Sequence, residues 1–195
     1  MASDSPSISA RAPTFFEEVI AATPGQSNLE KCIQCGTCGG SCPSGQDMDH
    51  SPRTLFAMVV AGMKDRVLQS NTPWYCVSCY YCMSRCPQEV HITDIMSTLK
   101  RMAIKERHYL ESSAADAPGF SGTFIDFVET YGRSFEVGLA TRYHLTHHPL
   151  DMVKMAPMAL GMWRRGRMDL TPTRIKNIDQ LKAILAKAKE IGGAL

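Results

Sequence analysis

The sequence predicts an all-α fold, a small helical domain wrapped around two cysteine motifs and followed by a helical extension. Three observations carry that expectation. All eight cysteines of the 195-residue chain fall in two short runs, 32–42 and 76–86. Each run is followed by apolar residues recurring at the three-to-four-residue spacing of an amphipathic helix. No stretch reads clearly as a strand, and the carboxyl third repeats the helical spacing three times.

Composition narrows the class. An apolar fraction of 44% and a charged fraction of 21% are those of a folded globular chain. The net charge of +2 argues for neither nucleic acid nor an acidic substrate as partner. Twelve methionines hint at adaptable contact surfaces. Residues 1–14 are rich in Ser and Ala and lack the apolar run of a secretory signal, so they read as a disordered or partner-bound arm. No run of about 18 apolar residues would span a bilayer. The expected location is cytoplasmic, with membrane contact at most indirect through Leu150–Trp163, a segment interrupted by Asp151, Lys154 and Pro157. There is no G-x-G-x-x-G after a strand, no P-loop and no nucleophile elbow, and no catalytic residue is assigned.

The first cysteine run is Cys32-Ile-Gln-Cys35-Gly-Thr-Cys38-Gly-Gly-Ser-Cys42-Pro43. The second is Cys76-Val-Ser-Cys79-Tyr-Tyr-Cys82-Met-Ser-Arg-Cys86-Pro87. Both read C-x2-C-x2-C-x3-C-P, with no cysteine left over. Three thiolates at this spacing wrap one face of a cubane while backbone N–H groups turn toward its sulfurs, and the fourth leaves in another direction. A disulfide framework suits small exported domains. A zinc site pairs two separated C-x2-C units and has no use for a third cysteine and a C-P in the same run. Two [4Fe–4S] clusters are therefore expected. The runs resemble those of bacterial two-cluster ferredoxins, in which the fourth cysteine ligates the other cluster. That resemblance implies Cys32, Cys35, Cys38 and Cys86 for one cluster, and Cys76, Cys79, Cys82 and Cys42 for the other. Folding and metal loading would then be coupled.

Between the runs lie 33 residues, more than a compact β-type ferredoxin uses. Ser51 and Pro52 read as N-cap and first turn, with Leu55, Phe56, Val59, Val60, Met63 and Val67 at helical spacing and Asn71-Thr72-Pro73 as the stop. After the second run, Thr93 and Asp94 open a helix. Ile95, Met96, Leu99, Met102 and Ala103 form its apolar stripe, and Lys100, Arg101, Lys105 and Arg107 its solvated side. Cysteine loops each followed by a helix make residues 15–112 an α-helical ferredoxin domain. Trp74, Tyr75, Tyr80, Tyr81 and Met83 are expected to keep water from the second cluster, while the Gly-rich first loop leaves its cluster less covered.

A loop over Ser112–Gly122 then leads to a helical extension, 113–195, expected to dock partners. Its helices are marked by Phe124, Phe127, Val128 and Tyr131, by Leu150–Trp163 with Met152, Met155, Met158 and Met162, and by Ile178, Leu181, Ile184, Leu185, Ala188 and Ile191 before Gly192-Gly193 as cap. His144, His147 and His148 read as a solvated loop before Pro149. Arg164, Arg165 and Arg167 read as a charged helix end, and the methionines as core or interface.

The two runs, their spacing and the tail Leu160-Gly-Met-Trp-Arg-Arg-Gly-Arg-Met-Asp-Leu-Thr-Pro, with Ile175-Lys-Asn-Ile-Asp-Gln-Leu, resemble the C subunit of heterodisulfide reductase over about 15–191. The cysteine motif alone is shared with iron–sulfur subunits of succinate dehydrogenase, fumarate reductase, glycolate oxidase and glycerol-3-phosphate dehydrogenase. Membership of such a quinone-linked membrane complex is the alternative reading. The favoured resemblance implies an electron relay between an A subunit bearing FAD and a B subunit whose Cys-Cys-Gly clusters handle disulfides. This chain has no adjacent cysteine pair, so that chemistry would lie elsewhere. The pathway implied is sulfur or disulfide metabolism, with a lean toward a heterodisulfide reductase-like complex of sulfur metabolism over the methanogenic one.

Overall fold

The computed structural model describes residues 12–192, and among them there is no β-strand. The all-α expectation is met. The chain divides into two compact units, with the boundary between Ser113 and Ala114. Of the expected arm, residues 1–11 lie outside the described residues, as does Gly193 of the expected terminal cap.

The first unit opens with α1 (Phe15–Ala22), held by a capping box in which the Thr14 hydroxyl accepts from the Glu17 N–H and the Glu17 carboxylate accepts from the Thr14 N–H. Next come α2 (Thr37–Gly40), inside the first cysteine run, and α3 (Pro52–Val60), capped by the Ser51 hydroxyl. The helix expected across 52–67 is broken. Gly62 adopts φ +74, and α4 (Lys64–Gln69) starts afresh after it. A left-handed residue ends an α-helix, and glycine occupies it without a Cβ clash. Val60, expected on the apolar stripe, is exposed as a result. Then follow α5 (Tyr81–Ser84), inside the second run, and α6 (Ile92–Lys105).

Phe15 and Val19 of α1, Leu55, Phe56 and Val59 of α3, Val67 and Leu68 of α4, and Ile95, Met96 and Leu99 of α6 form one buried core. Each such side chain contributes about 1.5–3 kcal/mol by leaving water. Cys32, Cys38, Cys76, Cys82 and Cys86 pack against this core, so the cysteine loops rest on it. At its edge Lys64 bridges Glu18 and Glu106, each at 2.9 Å.

The second unit holds α7 (Asp116–Tyr131), α8 (Glu136–His147), α9 (Pro149–Arg164) and α10 (Ile178–Gly192). The loop expected over 112–122 is mostly the first turns of α7, because Pro118 falls where a helix tolerates it. His144 and His147 likewise belong to α8, and His148 binds Asp116 at 3.0 Å, so the histidines are not a loop. The α7 C-terminus turns at Gly132, φ +80, directly beneath the Ile175 side chain. Leu139 is the one hydrophobic side chain of this unit that is buried among the described residues. Val153, Trp163, Ile184 and Ile191 stand in solvent.

Candidate metal centre

The two cysteine runs share a backbone design as well as a spacing. In each, the residues either side of the second cysteine are left-handed: Gln34 and Gly36 around Cys35, Ser78 and Tyr80 around Cys79. A short helix then carries the third cysteine, with Gly39 and Gly40 donating to the Gly36 carbonyl as Met83 and Ser84 donate to that of Tyr80. The C-P turn closes alike too, by N–H donation from Gly45 to Cys42 and from Glu89 to Cys86, each at 3.2 Å. The second run keeps this path with a tyrosine where the first has glycine. A left-handed conformation costs an ordinary residue about 1 kcal/mol. The tertiary frame overrides that cost at Tyr80.

The thiols surround two separate cavities. Cys32, Cys35, Cys38 and Cys86 line the first, with Arg53 and Phe56 of α3 and Val90 beside them. Cys42, Cys76, Cys79 and Cys82 line the second, with Met48, Tyr80 and Thr93. Each cavity thus draws three cysteines from one run and the last from the other. Each holds about 370 Å³ of empty space, open solvent at its mouth included, so neither run is favoured by room. Among the described residues no three Cys, His, Asp or Glu side chains gather tightly enough for a single ion. The thiols ring a space instead. Ile92, at the start of α6 and 2% exposed, lines both cavities.

The spacing of the runs is set by hydrogen bonds that the residue pattern alone does not reveal. Asn71 and Asp49 exchange backbone N–H to side-chain oxygen bonds in both directions at 2.7 Å, and the Asn71 amide donates to the Asp47 carbonyl. The Thr72 hydroxyl accepts from the His50 N–H and donates to the His50 carbonyl. These pairs stitch the exit of the first run to the approach of the second. Asn71-Thr72 is more than a helix stop.

Electrostatics grade the thiols. Cys35 and Cys79, the second cysteines of each run, are exposed. The Cys35 thiol is lowered chiefly by its hydrogen bond to the Thr37 hydroxyl, with Arg53 helping. Burial pushes Cys38 up to about 11. Burial also raises Cys42 and Cys82; in Cys82 the Thr93 hydroxyl opposes it. That hydroxyl oxygen is buried without a hydrogen-bond partner of normal length. An O–H beside Cys82, the Val90 N–H on Cys86 Sγ at 3.4 Å and the Gln34 amide on Cys32 Sγ at 3.5 Å are donors aimed at sulfur. Soft thiolates ringed by such donors fit iron–sulfur clusters.

Two expectations fail here. Tyr75, Tyr80 and Tyr81 do not seal the second cavity; they are 40%, 53% and 53% exposed, and Tyr81 instead lies under the Arg85 guanidinium at 5.3 Å. Lys100 is not on the solvated side of α6. It is half-buried, and its Nζ donates to the Cys76 carbonyl at 3.1 Å. Burial lowers its pKa from the usual lysine range, and Cys76 opposes that.

Residues 28–90 match the family described as the 4Fe–4S dicluster domain. The match takes in all eight cysteines. Among curated relatives, the chain is 42% identical over 90 residues to the C subunit of the H(2):CoB-CoM heterodisulfide,ferredoxin reductase of Methanothermobacter marburgensis, covering 46% of this chain and 48% of that one. It is 44% identical over 79 residues to an iron–sulfur C subunit of the CoB--CoM heterodisulfide reductase of Methanocaldococcus jannaschii, covering 40% and 42%. With the C subunit of the Ferredoxin:CoB-CoM heterodisulfide reductase of Methanosarcina acetivorans it shares 39% over 92 residues, covering 47% and 37%. The chain therefore spans about half the length or less of the curated relatives it matches. Over that stretch the resemblance to heterodisulfide reductase C subunits is borne out. Among the described residues no helix is long and apolar enough to cross a membrane.

Proposed function

We propose that the dicluster domain holds two [4Fe–4S] clusters with crossed ligation, and that the chain relays single electrons within a heterodisulfide reductase-like complex. Cys32, Cys35, Cys38 and Cys86 would hold one cluster, and Cys76, Cys79, Cys82 and Cys42 the other. The observation that carries this is the pair of four-thiol rings, each completed by a cysteine of the other run. When bound, the clusters supply one-electron oxidation and reduction. The chain's own residues do the rest. Ile92 and the core keep the inner walls dry, and the Gln34 amide and the Val90 N–H point donors at the Cys32 and Cys86 sulfurs. Exposed Cys35 and Cys79, beside exposed Ile33 and Val77, are the edges where electrons enter and leave.

In this reading the partners are a flavin-bearing A subunit and a Cys-Cys-Gly B subunit, this chain has no substrate site, and the process is disulfide or sulfur metabolism in the cytoplasm. Residues 15–112 form the ferredoxin domain and 113–195 the docking extension. Support for docking is that Leu139 is the one buried hydrophobic side chain among the described residues of the second unit. A groove between α8 and α9, lined by Met155, Met158, Met162 and His144, supports it further.

The test is metal and sulfide analysis of anaerobically purified protein, with identification of proteins that co-purify. About eight iron and eight sulfide per chain are expected, with a flavoprotein and a Cys-Cys-Gly protein alongside. Zinc without iron would overturn the cluster reading. A second reading, a chain feeding a quinone-linked membrane complex, is favoured only by the exposed apolar side chains of α9, Leu150 and Val153. Retention on membranes after a salt wash would select it.

A further inference from the structure

Arg53 and Lys100 stand by residues of different cavities, and the two cations are not alike. Arg53 lines the first cavity from α3 and is exposed. Lys100, on α6 and half-buried, anchors its ammonium on the backbone carbonyl of Cys76, a residue that lines the second cavity. A four-thiolate cluster is anionic, and reduction adds one more negative charge. A nearby cation therefore favours the reduced form, and more strongly where water screens it less. Exposed charges are screened by salt over roughly 8–10 Å at ordinary ionic strength, whereas partly buried ones are screened much less.

We propose that Lys100 sets the order of the two reduction potentials, raising that of the Cys42/Cys76/Cys79/Cys82 cluster above that of its neighbour. This rests on the crossed-cluster reading above. One electron leaving the reduced first cluster is then taken up by the oxidised second, so that transfer inside the domain runs toward the Cys79 edge. The Lys100–Cys76 contact is the positioning element: it keeps the charge fixed relative to the cluster without supplying a ligand.

The test is a redox titration of the full-length protein followed by EPR, with iron and sulfide counted first. Lys100→Arg keeps the charge, and Lys100→Gln keeps a donor without it. With iron content unchanged, Lys100→Gln should cut the reduced-to-oxidised ratio of one cluster roughly tenfold at fixed potential, a shift of about 59 mV for a one-electron couple. Lys100→Arg should leave it within a factor of about two. Unchanged potentials in Lys100→Gln, or equal shifts in both clusters, would overturn the proposal while leaving the clusters in place. Missing iron in the wild type would instead overturn the cluster reading.

A measurement on the wild type guards against a Lys100→Gln protein that fails to load. Raising salt from about 0.05 M to about 1 M shortens the screening length from over 10 Å to about 3 Å. The potential of the first cluster, facing exposed Arg53, should fall while that of the second holds. Equal movement of both, or the reverse order, overturns the proposal.

Discussion

Cys38, in the first cavity, is raised chiefly by burial, and Cys82, in the second, lies close enough for repulsion between the two sulfurs to add to that rise. These are the third cysteines of the two runs, both resting on the core, and Ile92 belongs to the wall of each cavity. The two sites are neighbours that share the Ile92 side chain in their walls. Ile92→Val should leave both clusters loaded and cost about 0.5–1.5 kcal/mol, and Ile92→Ala about 2–5 kcal/mol. Unfolding followed by circular dichroism gives the cost. EPR of the fully reduced protein should show spin–spin broadening that changes in Ile92→Ala.

The crossed rings make an asymmetric prediction for the two fourth cysteines. Cys86→Ser should damage the cluster of the first run, and Cys42→Ser that of the second. EPR of each variant, with iron counts, distinguishes them. Loss of the cluster belonging to the variant's own run would refute the crossing.

Asn71→Ala should cost about 2–3 kcal/mol, because it strands the Asp49 N–H and the Asp47 carbonyl. The damage should reach both cavities, since the bonds it removes hold the runs in register. Thermal unfolding and the loss of the iron–sulfur visible band should fall together.

Lys64 gives a pH signature. Its pKa is raised chiefly by the hydrogen bond to Glu18; burial opposes the rise, and the hydrogen bond and charge of Glu106 add to it. A raised lysine stabilises the fold fully below its ordinary value, and the contribution fades as pH climbs through the raised one. Lys64→Met should therefore lose about 0.5–1 kcal/mol near neutrality. The gap from wild type should close in strongly alkaline buffer, as read from melting temperatures of the two proteins across that range.

Much of the fold was legible because its signals are local. Cysteine spacing marks a site, Ser51-Pro52 opens a helix, and the Ile95, Met96 and Leu99 stripe faces the core as read. What escaped depends on partners distant in the chain. Gly62 looks like any helix glycine until its φ is known. Lys100 lies among basic residues on a helix, and only the fold puts Cys76 against it. The tyrosines of the second run looked like covering side chains. The left-handed turn at Tyr80 accompanies their exposure to solvent. α1 gave no cysteine or repeat to attract notice, although its Thr14–Glu17 box was there to be read.

The interleaving of the two thiol rings also has a consequence for biosynthesis. A nascent chain that has emerged only as far as Asn71 offers three cysteines to one ring and a single one to the other, so neither can be closed. The second ring closes once Cys82 is out, and the first only four residues later, at Cys86. On the crossed-cluster proposal, delivery of both clusters would wait until about three quarters of the first unit has emerged. On that proposal, a ribosome stalled, or a message truncated, anywhere before Cys86 would yield a polypeptide that cannot be loaded with both clusters.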